Sequence, residues 1–426
     1  MSLVKRTMTA LLSTAALTLI VSGAVVYAPS ASIESSTIPA AARAEYLVRS
    51  MSISDKIGQL FFVDLRRVGS EPVHAVTEEV KELFERYRPG GVLLFGENID
   101  TVDQTRNLIA GLGELSVYPL AVATDYEGGV VSRLTSSGKI PATRIPASRE
   151  VGANGDTETA YQIGRIMGRE LGVLGVTMNF APVADVVANS DSMIGSRSYS
   201  EDPKIAAQMV RAVVSGLQDS GISSVAKHFP GHGNVAGDTH DDLVELDRSK
   251  AELKSLEFVP FEAAIESGVD GIMTAHIVVP EITGDKLPAT FSYEMISGLL
   301  RGELGHAGLI ITDSLTMRAI RNRWDSGESA VRALRAGADI ILHPLDVESA
   351  FEAVAEAVET GSLSEERIDE SVRRVLFTKL KRDRRPLLAL DPEEVLGNAE
   401  HRSLVETVAP RSSKGDSDGA HPPDDR

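Results

Sequence analysis

The sequence predicts a single (β/α)8 barrel of the TIM type, in which eight parallel strands form a closed ring inside a layer of helices. Eight short apolar runs follow one another between residues 58 and 346, and stretches with the spacing of amphipathic helices separate them. Each run is apolar throughout instead of alternating, as expected for parallel strands that helices cover. Polar residues stand at the carboxyl ends of the runs, where the active site of such a barrel lies.

The eight runs define the predicted strands. In order they are GQLFFVDL (58–65), GGVLLFG (90–96), LAVATDYE (120–127), VTMNFAPVAD (176–185), SSVAKHFPG (223–231), GIMTAHIVVP (271–280), GLIITDSL (308–315) and ADIILHPLD (338–346). Eight such units favour a closed barrel over an open parallel sheet.

Seven of the runs end in a polar side chain, and these tips are predicted to meet at one mouth. The tips are Asp64, Asp125, Asn179, Lys227 with His228, His276, Asp313 and His343. Strands that merely end where polarity begins would account for one or two such tips, but not for seven.

The segments between the runs have apolar residues three and four positions apart, which is typical of helices that cover a sheet. After the eighth run, SLSEERIDESVRRVLFTKLK (362–381) predicts a further amphipathic helix, with Ser362 and Glu365 as the capping box at its start. A short helix is expected around EHRSLVETVA, followed by a disordered polar and acidic tail. The predicted division is 1–45 as leader and linker, 46–385 as the barrel, and 386–426 as short helix and tail.

The amino-terminal segment has the layout of an export signal. Lys5 and Arg6 precede an apolar run from Met8 to Ala28, and small and polar residues follow it. The run is also about long enough to span a bilayer, so an uncleaved membrane anchor is the alternative. In both cases we expect the barrel outside the cytoplasm: extracellular, periplasmic or held at the outer face of the membrane.

Charge and composition exclude several classes of function. The formal net charge of −18, from 43 basic and 61 acidic residues, repels nucleic acid and anionic lipid surfaces. The chain has no cysteine, so it can form no disulfide, thiolate zinc site, iron–sulfur cluster or catalytic thiol. Neither a metal nor another cofactor is expected.

The stretch KHFPGHGNVAGDTH (227–240) admits three interpretations. As a metal site it would supply His228, His232 and His240, but Lys227 would place an ammonium group beside the cation. As a polar turn it would be a strand end followed by a glycine-rich loop with capping or solvated histidines. As a catalytic loop it would fold back over the mouth.

The catalytic interpretation depends on the glycines and on an Asp–His pair. Gly231, Gly233 and Gly237 permit turns that a β-carbon would forbid. Asp238 can accept a proton from one ring nitrogen of His240 and orient the other toward a substrate. Such a histidine can act as a general acid and base near neutral pH.

The stretch KHFPGHG followed by DTH resembles the signature of glycoside hydrolase family 3, in its bacterial β-N-acetylglucosaminidase branch. Further similar segments run from the fifties to about 380. They are KIGQLFFV (56–63), GGVLLFGENI (90–99), TDYEGGVVSRL (124–134), NFAPVADV (179–186), IGSRSYSEDP (194–203), MTAHIVVP (273–280), LPATFS (287–292), ITDSLTM (311–317) and ALRAGADIIL (333–342). The resemblance implies the barrel without the carboxyl-terminal sandwich domain of larger relatives.

The resemblance also implies roles for individual residues. Asp313 matches the catalytic nucleophile, and His240, paired with Asp238, matches the general acid and base. The residues that match the sugar-binding positions are Asp125, Arg133, Arg197, Lys227 and His228. The implied activity is exo-acting retaining hydrolysis that releases terminal β-linked N-acetylglucosamine from peptidoglycan fragments, including muropeptides, or from chitooligosaccharides.

Two departures from the family pattern put the fit of the substrate in question. Val130 replaces an arginine that usually follows the double glycine, and Tyr126 stands where glutamine is common. Neither touches the nucleophile or the Asp–His pair.

Alternative functions and roles remain open at this level. A neutral histidine would not repel an anion, so a phosphorylase that uses phosphate as acceptor is the main alternative, and a non-catalytic sugar-binding protein is another. Asp313 could merely cap a strand, and Asp125 could serve only a salt bridge to Arg133. His276 is interpreted as a structural histidine of the barrel wall, and Glu127 as a residue that positions its neighbours. For His343, neither a structural nor a functional role is favoured.

Overall fold

A computed structural model describes residues 38–187, 194–235, 243–284, 287–382 and 385–408. Eight parallel strands, β1 to β8, form one sheet in which each strand pairs with its sequence neighbours and β8 pairs with β1. A parallel bridge between Ile311 and Ile340 joins β7 to the start of the β8 segment and completes the ring. The predicted (β/α)8 barrel is confirmed.

The strands are short, and helices alternate with them. The strands are β1 Phe61–Asp64, β2 Gly91–Leu93, β3 Ala121–Thr124, β4 Met178–Asn179, β5 Ser223–Phe229, β6 Gly271–Thr274, β7 Leu309–Thr312 and β8 Ile341–Leu342. The helices that follow them are Glu78–Tyr87, Val102–Leu115, Thr157–Leu174, Pro203–Asp219, Phe258–Glu266, the π-helix Glu294–Glu303, Ser326–Ala336 and Val347–Glu359.

The remaining helices and strands lie outside the eight strand–helix units of the barrel. Additional helices are Ala40–Ser50, Ile53–Gly58, Ser148–Asn154, Lys250–Ser255, Pro280–Thr283, Arg318–Arg321, Glu365–Leu380, Arg385–Leu388, Pro392–Val395 and Ala399–Glu406, with 3-10 turns at Gly96–Asn98 and Ala289–Phe291. Two-stranded pairings join Arg67–Val68 to Glu71–Pro72, Tyr126–Gly128 to Val131–Ser132, and Val244–Glu245 to Ile277–Val278. Within the described residues no helix is both long and apolar enough to cross a membrane.

Alternation along each strand divides the core into two layers. Phe62 points into the barrel, where it packs with residues such as Phe180 and Ile311. Its neighbours Phe61 and Val63 point outward to the layer beneath the helices. The interior is therefore filled with side chains, and chemistry is confined to the strand ends.

Some boundaries differ from the prediction. The helix Glu365–Leu380 begins after Ser364, whose side chain accepts from the amide of Arg367, so the capping position predicted at Ser362 was wrong. Ser362 instead donates its hydroxyl to the carbonyl of Ala357 in the preceding turn. The helix Ala40–Ser50 begins inside the segment predicted as linker, and the export signal and acidic tail lie outside the described residues.

Candidate active site

The polar tips lie at one end of the barrel, the mouth, which is formed by the carboxyl ends of the strands. Asp64 and Asn179 are the last residues of β1 and β4, and Asp313 directly follows β7. Lys227 and His228 are the third- and second-last residues of β5. Parallel strands bring their carboxyl ends to the same edge, so residues far apart in sequence meet here.

A charged cluster at the mouth contains two carboxylates, Asp125 and Glu127, and three cations, Lys227, Arg197 and Arg133. The Lys227 ammonium lies 2.6 Å from Asp125 Oδ1 and 2.6 Å from Glu127 Oε1. Glu127 also accepts two 2.8 Å hydrogen bonds from Arg197, through Nε and Nη2. Arg133 approaches Asp125 at 3.6 Å, so the salt bridge between these two residues is present but is the weaker contact of Asp125.

The cluster holds three of its members, Glu127, Lys227 and Arg197, in their charged forms. Burial alone would raise the pKa of Glu127, but the charges of Arg197 and Lys227 hold that pKa well below its usual value. Burial would likewise lower the pKa of Lys227, yet Asp125 and Glu127 raise it above the usual value, and Glu127 does the same for Arg197. Glu127, Lys227 and Arg197 are therefore all charged near neutral pH.

The turn that carries Asp125 and Glu127 is fastened on both sides. Asn179 accepts from the amide of Tyr126 and donates to its carbonyl, both at 2.9 Å. The Tyr126 hydroxyl donates to the buried Glu170 at 2.9 Å, on the helix that follows β3. Tyr126 is thus a buried anchor directed toward that helix, and the other departure from the family pattern, Val130, is 60% exposed on the hairpin tip.

A second buried cluster surrounds Asp185. After β4 the chain runs beside β5, with the Lys227 amide donating to Pro182 and the Ala184 amide donating to Lys227. This path brings Asp185 Oδ2 to 2.7 Å from Nδ1 of His228, while Oδ1 accepts from the amides of His228 and His232 at 3.2 and 2.7 Å. Burial raises the pKa of Asp185, but His228 and His232 together more than offset this, and the net shift is downward.

The Asp185 contact fixes how His228 faces the mouth. Because Nδ1 donates to the carboxylate, the neutral ring presents Nε2 as an acceptor, and Arg197 Nη2 lies 3.5 Å from it. The His232 ring packs edge-on against His228, with centroids 5.9 Å apart. Burial lowers the pKa of His232, while the charges of Asp185 and Asp313 oppose that shift.

Asp313 occupies the β7 tip on the opposite side of the mouth. Its amide donates to the Thr274 carbonyl at 3.1 Å, which fixes the backbone against β6. Its Oδ1 accepts from the Ser314 amide at 2.7 Å. The carboxylate is therefore oriented by the main chain.

The glycine-rich loop leaves β5 as its sequence predicts. Gly231 has φ 129°, and a β-carbon there would meet the Glu257 side chain at 2.7 Å. A β-carbon on Gly233 would meet the Val186 carbonyl oxygen at 2.0 Å. Gly237, Asp238 and His240 lie outside the described residues, so the predicted acid/base pair stays a prediction.

The structure brings together Asp125, Arg133, Arg197, Lys227 and His228 as expected. The sequence predicted Glu127 only as a residue that positions its neighbours, and Asp185 was missed. Glu127 is the residue through which Lys227 and Arg197 are joined. Both carboxylates were detectable as acidic residues within otherwise apolar runs. In the described part of the chain, no group of three potential ligands forms a metal site.

Comparison with known proteins gives a consistent result. The model of the glycosyl hydrolase family 3 N-terminal domain matches residues 52–378. The chain is 31% identical over 399 residues to beta-hexosaminidase A of Pseudoalteromonas piscicida, covering 84% of this chain and 66% of that protein. It is 36% identical over 295 residues to a beta-hexosaminidase of Nitrosomonas eutropha, covering 66% of this chain and 83% of that protein.

A solved structure agrees in fold. A glycoside hydrolase family 3 beta-N-acetylglucosaminidase from Paenibacillus superimposes with a TM-score of 0.78 at 37% identity. The alignment covers 84% of this chain and 68% of that one. This chain therefore spans about two thirds of the length of two of the three proteins.

Proposed function

The chain belongs to glycosyl hydrolase family 3, and from that premise we propose that it is an exo-acting β-N-acetylhexosaminidase. Its substrates would be peptidoglycan fragments or chitooligosaccharides with a terminal β-linked N-acetylglucosamine. The beta-hexosaminidase relatives and the barrel mouth described above support the assignment. The released sugar would retain its anomeric configuration.

The observation that carries the proposal is the placement of Asp313. Retaining hydrolysis needs a carboxylate that attacks the anomeric carbon and a proton donor for the leaving oxygen. A nucleophile must be held rigidly, and Asp313 is oriented by the Ser314 amide at the end of a buried strand. We therefore assign Asp313 as the nucleophile whose carboxylate forms the covalent glycosyl intermediate.

The charged cluster fits recognition of sugar hydroxyls. Asp125 retains 13% of its side-chain exposure, whereas Glu127 retains 1% and is enclosed by its two cations. Asp125 would therefore accept from a hydroxyl, while Glu127 holds Lys227 and Arg197 in place. Charged partners that are already ordered lose little entropy on binding, and their hydrogen bonds are stronger than neutral ones.

The other sugar contacts are assigned to His228 and Arg133. The Nε2 atom of His228 would accept from a hydroxyl group, because Asp185 fixes the opposite nitrogen as a donor. Arg133, with 32% of its side chain exposed beside Asp125, would donate to the sugar or its acetamido group.

We assign protonation of the leaving oxygen to His240, paired with Asp238. Two features support this assignment. One is the sequence DTH, and the other is the described start of the loop, which turns at Gly231 and is held at His232 by the bond from its amide to Asp185. In the first step His240 would donate a proton, and in the second it would take one from the attacking water. With phosphate as the acceptor, the same intermediate would yield a sugar phosphate.

An assay with four nitrophenyl glycosides tests the class of reaction. The N-acetyl-β-glucosaminide should be cleaved far faster than the β-glucoside, β-galactoside or α-linked N-acetylglucosaminide, with free sugar as product. Repeating the assay with added phosphate separates the acceptors, because a phosphorylase would release N-acetylglucosamine 1-phosphate. Faster cleavage of the glucoside would overturn the substrate assignment, and a dominant sugar phosphate would overturn hydrolysis.

We also propose that the enzyme acts outside the cytoplasm, on the strength of the basic and apolar amino-terminal run. Fractionation of cells that express the full chain would test this, since activity should be found outside the cytoplasmic fraction. A variant that keeps Lys5 and Arg6 but has charged residues within the apolar run should stay in the cytoplasm. Activity in the cytoplasmic fraction for the wild type would contradict the proposal.

A further inference from the structure

The residue after the proposed nucleophile, Ser314, is held from two sides by histidines of the neighbouring strands. On the β6 side, Nε2 of His276 lies 3.0 Å from the Ser314 carbonyl oxygen. On the β8 side, Nδ1 of His343 lies 3.0 Å from the Ser314 hydroxyl. Ser314 in turn supplies the amide that binds Asp313. The orientation of the carboxylate thus depends on a residue that two strands hold.

His343 is itself fixed by a carboxylate from a third strand. Its Nε2 lies 3.1 Å from Asp64 Oδ2, at the end of β1. The other oxygen of Asp64 accepts from the Arg66 amide at 2.6 Å, so the carboxylate is held by its own turn. With Nε2 donating to Asp64, the neutral ring accepts the Ser314 hydroxyl proton at Nδ1. A directed chain of hydrogen bonds therefore runs from β1 through β8 to β7.

The backbone of His343 indicates that this position is specified and not incidental. His343 has φ 49°, in the left-handed region that residues with a β-carbon seldom adopt. Its amide is bound to the Phe62 carbonyl at 2.8 Å, and its ring packs edge-on against Phe95. A conformation that costs free energy persists where the surrounding contacts determine it, and such positions cluster at functional sites.

We propose that His343, oriented by Asp64, is a positioning residue that holds Ser314 and thereby aims the Asp313 carboxylate at the anomeric carbon. The inference rests on the glycosidase function proposed above. It gives His343 a role that sequence reasoning left undecided. His343 acts through Ser314 and makes no bond to the sugar in this account.

The test is a double-mutant cycle with His343→Asn and Ser314→Ala. Asparagine tolerates the left-handed region but cannot reach both Ser314 and Asp64, so the backbone is preserved and the chain is broken. Each single variant should lower kcat for the nitrophenyl N-acetylglucosaminide about tenfold to a hundredfold, since a small misplacement of a reacting group has effects of this size. KM should stay within about threefold of wild type.

Non-additivity is the result specific to the proposal. The double variant should be no slower than the slower single variant, because both substitutions break the same chain. Additive losses in kcat, unchanged kcat, or a change confined to KM would overturn it. Inactivity of the wild type on all glycosides would instead refute the proposed function.

The matched control is His306→Gln, just before the amino-terminal end of β7, the strand whose carboxyl end leads to Asp313 and Ser314. His306 is buried, and its Nε2 lies 2.8 Å from the Leu309 carbonyl oxygen, just before the run that ends at Asp313. This variant should lower the thermal unfolding midpoint while the folded enzyme keeps its kcat. If its kcat fell as far as that of His343→Asn, general loosening of β7 would explain both, and the positioning role would be excluded.

Discussion

The two ends of the barrel both bury networks of charge, but the networks differ in composition. At the mouth, Lys227 lies between Asp125 and Glu127, and Glu127 also binds Arg197. At the floor, which is the amino-terminal end of the strands, Asp339 faces three arginines, Arg301, Arg367 and Arg374, and the last of these also reaches Glu370 at 3.9 Å.

The two networks shift the pKa of their cations in opposite directions. At the mouth the carboxylates outweigh burial, and the pKa of Lys227 and of Arg197 is raised. At the floor, burial and the repulsion of neighbouring arginines outweigh Asp339, and the pKa of Arg301 and of Arg367 is lowered.

The floor network serves to join parts of the fold. Asp339 accepts from the Ile310 amide at 2.9 Å and from Ser371 at 2.6 Å, which ties β7 and β8 to the helix Glu365–Leu380. All three arginines are thus committed to one carboxylate and its surroundings. Burial of charge alone therefore does not identify the active site; the mouth network is distinguished by two carboxylates that contact the same lysine and by the part-exposed Asp125.

Among the variants at the two ends, Asp313→Asn is expected to show the largest loss of turnover without loss of stability. Asparagine keeps an oxygen that can accept from the Ser314 amide but cannot form a glycosyl ester, so turnover should fall more than about a thousandfold. The thermal unfolding midpoint should stay at the wild-type value or rise, because active-site charges seldom stabilise the fold. Retained turnover would remove Asp313 as the nucleophile.

His240→Ala tests the part of the mouth assigned from sequence alone. Loss of a general acid should slow cleavage of substrates with poor leaving groups about a hundredfold to ten-thousandfold. Nitrophenyl glycosides need little protonation of the leaving oxygen and should lose much less in their glycosylation rate. An equal loss on both substrates, measured by steady-state kinetics, would mark His240 as structural.

Asp339→Ala should have the opposite effect from Asp313→Asn. Removing the shared carboxylate leaves buried arginines uncompensated and should lower the free energy of unfolding by about 3–5 kcal/mol. The folded fraction should keep its kcat, since the floor makes no contact with substrate. A fall in kcat at unchanged stability would contradict the assignment of catalysis to the mouth and of stability to the floor.

A smaller, pH-dependent effect is expected for Glu127→Gln. At pH 7 this variant should be about 1.5–3 kcal/mol less stable than wild type, because charged hydrogen bonds are lost. The folded-state pKa of Glu127 lies below its usual value of 4.5, so its stabilising contribution is present above that pH and fades as pH falls below it. The difference between the two unfolding midpoints should therefore narrow from pH 7 to pH 3 without vanishing, because the folded-state pKa lies well below its usual value; a constant difference would contradict the assigned pKa shift.

The fold and the residues at the strand ends of the mouth could be predicted from the sequence, because they depend on local pattern. Continuous apolar runs with polar ends specify both the strands and the edge at which Lys227, His228 and Asp313 appear. These features need no knowledge of tertiary contacts.

The partners of these residues depend on paths that no periodicity encodes. Asp185 reaches His228 only because the chain after β4 leaves regular strand geometry and follows β5. The central position of Glu127 likewise follows from the turn that Asn179 holds. The helix cap moved from Ser362 to Ser364 for a related reason, since the Ser362 hydroxyl is used by the preceding turn.

Direct identification of the covalent intermediate tests the central claim, that Asp313 attacks the sugar. A 5-fluoro glycosyl fluoride of N-acetylglucosamine slows both steps, while its good leaving group lets the intermediate accumulate. Mass spectrometry of the digested protein should show one N-acetylhexosamine-derived adduct on the peptide that contains ITDSLTM, at Asp313. An adduct on a different residue, or turnover of this reagent with inversion and no adduct, would contradict the account.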